Sequence, residues 1–213
     1  MIQKQLKKIV VIGASSVAGK VDVEGGGFVG RLSKWMESQY PYNAVFNLGI
    51  SGNTSDQILA RILAESIPRK PDLIILQCGI NDLMREGSIN APNQISINQI
   101  EVNIRDLIQK AQSIADLLIV SVFPIDESKT TPFAGKNWYY TLADAKAHSL
   151  LTRKLTTELG IAYIDIFTEF EKLDYKGQLI YSDGLHTNAQ GHELIFQKIK
   201  SYIESNYVTQ RDN

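Results

Sequence analysis

Five short runs of β-branched and leucine-rich sequence punctuate the chain, at Lys8–Ile12, Ala44–Leu48, Asp72–Gln77, Leu117–Phe123 and Ile161–Ile166. They are apolar at most positions instead of at alternate ones, the pattern of a strand covered on both faces. Between them the apolar positions recur at helical spacing: Phe28, Leu32, Trp35 and Met36; then Ile58, Leu59, Ile62 and Leu63. A third set comprises Ile97, Ile100, Ile104, Leu107, Ile108 and Ala111, and a further helix is predicted from about Leu142 to Leu159. A last one, about Ala189 to Ser205, carries Leu194, Ile195, Ile199, Tyr202 and Ile203. Strands alternating with helices predict an α/β fold with a five-stranded parallel sheet between helical layers. Such sheets bind ligands beyond the C-terminal ends of their strands. The longest irregular stretch, about Pro124 to Tyr140, follows the fourth strand and is expected to overhang that end, where it could serve as a lid.

Composition narrows the picture. With 213 residues, 44% of them hydrophobic, the chain is expected to form a single domain over 1–205, followed by a polar C-terminal tail over 206–213. A formal charge of −1 and the lack of a Lys/Arg-rich run exclude an electrostatic footprint for nucleic acid. No apolar stretch reaches the roughly 18 residues of a membrane span, and no signal-peptide pattern precedes the first strand, so a cytoplasmic protein is expected. The single cysteine, Cys78, reads as a small residue at a strand end, and no Cys/His cluster has metal-ligand spacing.

The first strand runs into G-A-S-S-V-A-G-K, Gly13 to Lys20. A phosphate-binding Walker loop needs four residues between its first Gly and Gly-Lys, then Ser or Thr; here five intervene and Val21 follows. The loop also resembles the cofactor turn of short-chain dehydrogenases, but no tyrosine has the required lysine four residues later. Lys20–Gly27 moreover separates the loop from the next helix, where a dinucleotide turn would open straight into one. A serine at the end of a strand remains.

A serine hydroxyl becomes a nucleophile only with a base, a group that orients the base, and donors for the oxyanion. Of the three histidines, His148 and His192 fall within predicted helices and read as surface or core residues. His186 lies in Y-S-D-G-L-H-T-N, before the last helix, with Asp183 three residues ahead. In a tight turn that spacing brings a carboxylate to the imidazole Nδ1; it equally suits a capping turn in which Asp183 and Asn188 bind backbone donors. After the second strand, Gly52 precedes a helix that Asn53, Thr54 or Ser55 can cap, as a plain turn residue or as an exposed N–H at a positive helix end. The third strand ends in Q-C-G-I-N-D-L, where Asn81 could donate its amide or act as a cap.

Taken in order, Ser15 in G-A-S, Gly52 in I-S-G-N-T-S, Asn81 in G-I-N-D and His186 in D-G-L-H resemble the four blocks of the SGNH hydrolases, the GDSL family of esterases and lipases. The resemblance runs from Ile9 to the last helix and implies a flavodoxin-like three-layer α/β/α sandwich. It also implies hydrolysis of acyl esters with Ser15 as nucleophile, His186 as base and Asp183 as its orienter. The oxyanion hole would comprise the N–H groups of Ser15 and Gly52 and the Asn81 amide, with no metal or organic cofactor. The family's first block usually reads G-D-S, and Ala14 stands here in place of the aspartate. The register of the blocks favours Ser15 over Ser16.

The partner expected from this resemblance is a small-molecule ester. Ile80, Leu83 and Phe123 just beyond strand ends, Trp138 in the long loop and Leu185 beside His186 are candidates for the substrate pocket. Simple esters, lysophospholipids, thioesters and acetylated sugars all remain open. Two rival classes stay on the table: a non-catalytic binding module on the same fold, for which Ala14 would be an early sign of decay, and a nucleotide-binding dehydrogenase-like domain.

Overall fold

The computed structural model describes residues 4–209. Its elements are β1 (Lys4–Leu6), β2 (Lys8–Gly13), α1 (Gly27–Gln39), β3 (Ala44–Gly49), α2 (Ser55–Ser66), β4 (Leu73–Gln77), β5 (Arg85–Glu86), α3 (Ile97–Gln112), β6 (Asp116–Val120), α4 (Glu127–Thr130), β7 (Trp138–Tyr139), α5 (Leu142–Leu159), β8 (Ala162–Ile164), α6 (Ile166–Glu171), α7 (Tyr175–Gln178), α8 (Ala189–Asn206) and β9 (Tyr207–Thr209). The five apolar runs become one parallel sheet in the order β3-β2-β4-β6-β8. Their side chains alternate between two cores, which is why the runs are apolar at nearly every position. Ile9, Val11, Leu73, Ile75, Leu118 and Val120 pack with Phe28, Leu32 and Met36 of α1 and Ile195, Ile199 and Ile203 of α8. Their neighbours Val10, Ile12, Ile74, Leu76, Leu117 and Ile119 meet Ile58 and Ile62 of α2, Ile104, Leu107 and Ile108 of α3, and Leu155 of α5. The result is an α/β/α sandwich. Among the described residues no helix is long and apolar enough to cross a membrane.

Local chemistry sets the helix starts that border the site. Thr54 and Gln57 form a capping box at α2, and Asn188 Oδ1 accepts the N–H groups of Gln190 and Gly191 at α8. The central strand β2 is flanked by β3 and β4 so that Gly13 lies opposite both Gly49 and Gln77. All three strands therefore end at one level, and the loops that follow them share one rim.

Two expectations change. Part of the segment expected as a polar tail over 206–213 is a strand: Asn206 ends α8, and Tyr207–Thr209 pairs in parallel with β1. Tyr207 is buried against the core and donates its hydroxyl to Asp116 Oδ2 at 3.0 Å, an anchor that a polar tail does not have. Residues 210–213 lie outside the described ones. The stretch from Pro124 to Tyr140 is also more ordered than an irregular loop. It contains α4 and β7, which pairs antiparallel with β5, while Thr130 and Tyr140 exchange a backbone bond and a side-chain bond.

Candidate active site

Gly13 closes β2 so tightly that a Cβ would lie 2.1 Å from the Gln77 carbonyl oxygen and 2.6 Å from Val17, leaving room for glycine alone. The chain then turns sharply, with the Ala18 N–H donating to the Ala14 carbonyl and the Lys20 N–H to that of Ser15, both at 3.0 Å. Asn47 Nδ2 holds the far side of the turn by donating to the Val17 carbonyl at 2.9 Å. Ser15 is thereby presented at the rim. Its Oγ lies 3.1 Å from His186 Nε2, although 171 residues separate the two in sequence.

His186 is held from behind. Its Nδ1 lies 2.7 Å from Asp183 Oδ2, while Asp183 Oδ1 accepts the N–H groups of Leu185 at 2.9 Å and His186 at 3.0 Å. Burial alone would push the Asp183 carboxyl up, but the His186 side chain, the two backbone N–H groups and the imidazole's charge together outweigh it and hold the pKa below the usual carboxylate value. The same turn is bound to the long segment beyond β6, because the Asp126 N–H donates to the Gly184 carbonyl at 2.8 Å. The Phe133 ring of that segment meets the His186 ring edge to face, with centroids 6.4 Å apart.

Gly52 follows β3 with φ +84°, a left-handed conformation that favours glycine. Among the described residues its N–H has no acceptor, and neither does that of Ser15. Asn81, in a 3-10 turn over Ile80–Leu83, donates one Nδ2 hydrogen to the Asn53 carbonyl at 2.9 Å, which leaves its second hydrogen free to donate. Next to it, Asp82 is fully buried and accepts the Ser55 N–H at 2.7 Å, fastening the 3-10 turn to the start of α2. Burial pushes the Asp82 carboxyl up to about 6 against the hydrogen bonds of Ser55, with the Asp56 charge adding to the rise. The Ser15 turn thus stands beside the two loops that carry Gly52 and Asn81.

A cavity of about 30 Å³ adjoins Ser15, its walls formed mainly by Ala14, Cys78, Ile80, Val122, Phe123 and Leu185. Of the expected pocket residues, Ile80, Phe123 and Leu185 line it and two do not. Leu83 is instead a core residue packed with the α2 and α3 side chains, since the 3-10 turn carries it beneath the rim. Trp138 belongs to a separate cluster with Ile125, Tyr140 and Leu185, where β7 holds it against β5. Val122 and Gln77 were not anticipated as lining residues, because both lie within strand-like sequence and resemble core. Burial raises the Cys78 thiol far above its ordinary pKa, helped by the nearby Asp82 charge, so it is a neutral wall group and a poor nucleophile.

The other two histidines are deeply buried, and among the described residues His148 Nε2 has no hydrogen-bond partner. His192 Nδ1 accepts the Phe28 N–H at 3.2 Å, pinning the start of α1 to α8. Burial is the main reason that both rings are pushed down to about 4 from 6.5. The folded chain therefore holds them neutral while the unfolded chain protonates near 6.5. Their contribution, of order 3 kcal/mol each, is fully present above that pH and is lost as pH falls toward 4. Asp82 acts in the opposite sense, favouring the fold as pH falls through about 6. The urea midpoint of the wild type is expected to fall between pH 7 and 4.5 more steeply than that of His148→Leu, and equal slopes would remove His148 from this linkage.

A profile of the GDSL-like lipase/acylhydrolase family matches residues 11–194. Among curated proteins, the chain is 23% identical over 211 residues to GDSL esterase/lipase CPRD49 of Arabidopsis thaliana, covering 96% of this chain and 81% of that one. It is also 23% identical over 201 residues to an acetylxylan esterase of Geobacillus stearothermophilus, covering 91% and 88%. Among solved structures, a lipase/acylhydrolase from Enterococcus faecalis superimposes with a TM-score of 0.79 at 20% identity, covering 97% of this chain and all of that one. The Geobacillus esterase has been solved as catalytic mutants at a serine, at a histidine, and at an aspartate three positions ahead of that histidine; the serine mutant superimposes with a TM-score of 0.72 at 18% identity, over the full length of both chains. The profile spans most of the sequence, including all four of the blocks recognised above, and the chain belongs to the GDSL-like lipase/acylhydrolase family.

Proposed function

We propose that this protein is a serine esterase that removes short acyl groups, acetyl above all, from alcohol or sugar hydroxyls. The observation that carries the reading is the relay Ser15–His186–Asp183, with spacings of 3.1 and 2.7 Å, at the mouth of a small apolar cavity. In this mechanism Ser15 Oγ attacks the ester carbonyl carbon as His186 Nε2 takes its proton. The carbonyl oxygen, now an oxyanion, receives the N–H groups of Ser15 and Gly52 and the free hydrogen of Asn81 Nδ2. His186 then gives its proton to the departing alcohol, leaving an acyl group on Ser15. A water molecule deprotonated by His186 attacks that ester and restores the serine. Ala14 takes no part in proton transfer; its methyl group belongs to the cavity wall.

The cavity argues for the acyl group's size. A site needs roughly 10–15 Å³ on this measure to hold one water, so about 30 Å³ accommodates an acetyl group and crowds longer chains. The catalytic mutants of the Geobacillus acetylxylan esterase share the serine, histidine and aspartate types and the three-residue interval of Asp183 and His186. On the alcohol side, the Phe133 ring beside His186 offers an apolar face suited to a sugar ring.

Hydrolysis of 4-nitrophenyl acetate, butyrate and octanoate by the purified protein tests the reading. kcat/KM is expected to fall by about tenfold or more from acetate to butyrate, the effect of two added methylenes in a small apolar cavity, and further at octanoate. A preference for octanoate would replace the short-acyl reading with a lipase-like one. No turnover of any ester by folded protein would favour the binding module.

A further inference from the structure

The oxyanion donors of the proposed mechanism stand on three different loops, and one side chain ties those loops together. Arg61, on α2, donates from Nη2 to the Gly13 carbonyl and from Nε to Asn53 Oδ1, both at 2.9 Å. Nη1 donates to Glu65 Oε2 at 2.7 Å, one turn along the same helix. Gly13 is the last residue of β2, two positions before Ser15. Asn53 follows Gly52 directly, and its carbonyl holds the Asn81 amide at 2.9 Å. A single guanidinium thus reaches the base of the nucleophile turn and the Gly52 loop, and through Asn53 it reaches Asn81. Its side chain is only 13% exposed, so these bonds are poorly exchanged for water.

We propose that Arg61 is a positioning residue that sets the spacing between the Ser15 turn and the Gly52 and Asn81 donors. Arginine suits this task because its donors point in fixed directions from one rigid plane, so the two loop acceptors bound at once fix each other's positions. The sheet aligns Gly13, Gly49 and Gln77, but beyond those residues the chain leaves regular pairing. Past that level the guanidinium supplements the Ile50 N–H, which donates to the Gly13 carbonyl at 3.1 Å, as a cross-link between the two loops. Glu65 binds Arg61 from one turn along the same helix and touches neither loop, which separates the ion pair from the positioning role.

The inference rests on the esterase reading, and steady-state hydrolysis of 4-nitrophenyl acetate by five proteins, the wild type, three single variants and the Arg61→Ala/Asn53→Ala double variant, tests it. Arg61→Ala is expected to lower kcat by about 10- to 100-fold with KM changed less than about threefold, the cost of displacing donors by a fraction of an ångström to one ångström. Glu65→Ala should leave both parameters within about twofold. Asn53→Ala, which leaves α2 untouched, should lower kcat in the same way, and the double variant should lose no more than the worse single one. Methylguanidinium added to Arg61→Ala should recover part of the rate. Wild-type kcat in folded Arg61→Ala overturns the proposal while leaving the esterase reading intact. Equal losses in Glu65→Ala and Arg61→Ala also overturn it, since the ion pair would then be the cause. Should Arg61→Ala fail to fold, unchanged kcat in Asn53→Ala overturns it instead. An inactive wild type removes the esterase reading and this inference together.

Discussion

Ser15→Ala is expected to lower kcat on an acetyl ester by about 10⁵- to 10⁶-fold, to the residual rate that binding and the oxyanion donors supply without a nucleophile. The fold should not change, because among the described residues the Ser15 hydroxyl bonds only to His186 and otherwise faces the cavity. Ser16→Ala is the informative comparison. Ser16 also lines the cavity, but its Oγ is buried and has no hydrogen-bond partner, so no base is placed to activate it. That variant should stay within a few-fold of wild type and should not lose stability, since it removes a buried hydroxyl that nothing satisfies. Acetate release under single-turnover conditions, with melting temperature as the control for folding, separates the two serines. Full activity in Ser15→Ala would abandon the relay.

The sequence made the sheet legible because a fully buried parallel strand leaves an unmistakable trace: Lys8–Ile12 and Asp72–Gln77 are apolar throughout their interiors, and each side chain finds one of two cores. The four blocks were legible for a different reason, since each sets a residue type that acyl transfer would require in a loop, three of them after strands and the fourth before α8. What escaped the reading depends on distance or on length. β1 and β9 have three residues each, too few for a period to appear, and they pair only because the last helix returns the chain to its beginning. Arg61 looks like any exposed helix arginine until the fold brings Gly13, 48 residues earlier, within reach. Leu83 is a pocket candidate in the sequence because it lies just beyond the end of the third strand, yet a 3-10 turn directs residues a few positions apart to different surroundings, and the core claims it. Adjacency in sequence therefore located the rim well and its lining less well.

Asp183→Asn tests the relay at its far end, and its effect depends on where one proton sits. Asp183 Oδ1 accepts two backbone N–H groups, and an asparagine oxygen accepts them equally well, so the turn that presents His186 should persist. The amide nitrogen then replaces Oδ2, which lies 2.7 Å from His186 Nδ1. Facing an N–H donor, Nδ1 must give up its own hydrogen, and the neutral imidazole carries its proton on Nε2, the atom directed at Ser15. A histidine in that tautomer donates to the serine hydroxyl when it should accept from it. kcat on acetyl esters is accordingly expected to fall by about 10⁴-fold while KM and the melting temperature stay near wild type. The low pKa of the wild-type carboxyl carries the same logic into a pH profile. Asp183 remains ionised well below neutral pH, so the carboxylate is expected to keep its hold on Nδ1 until acidification reaches its own lowered pKa. A wild-type kcat in a folded Asp183→Asn protein would mean that the orientation of His186 comes from its packing, including the Phe133 ring, and that the carboxylate serves only the turn.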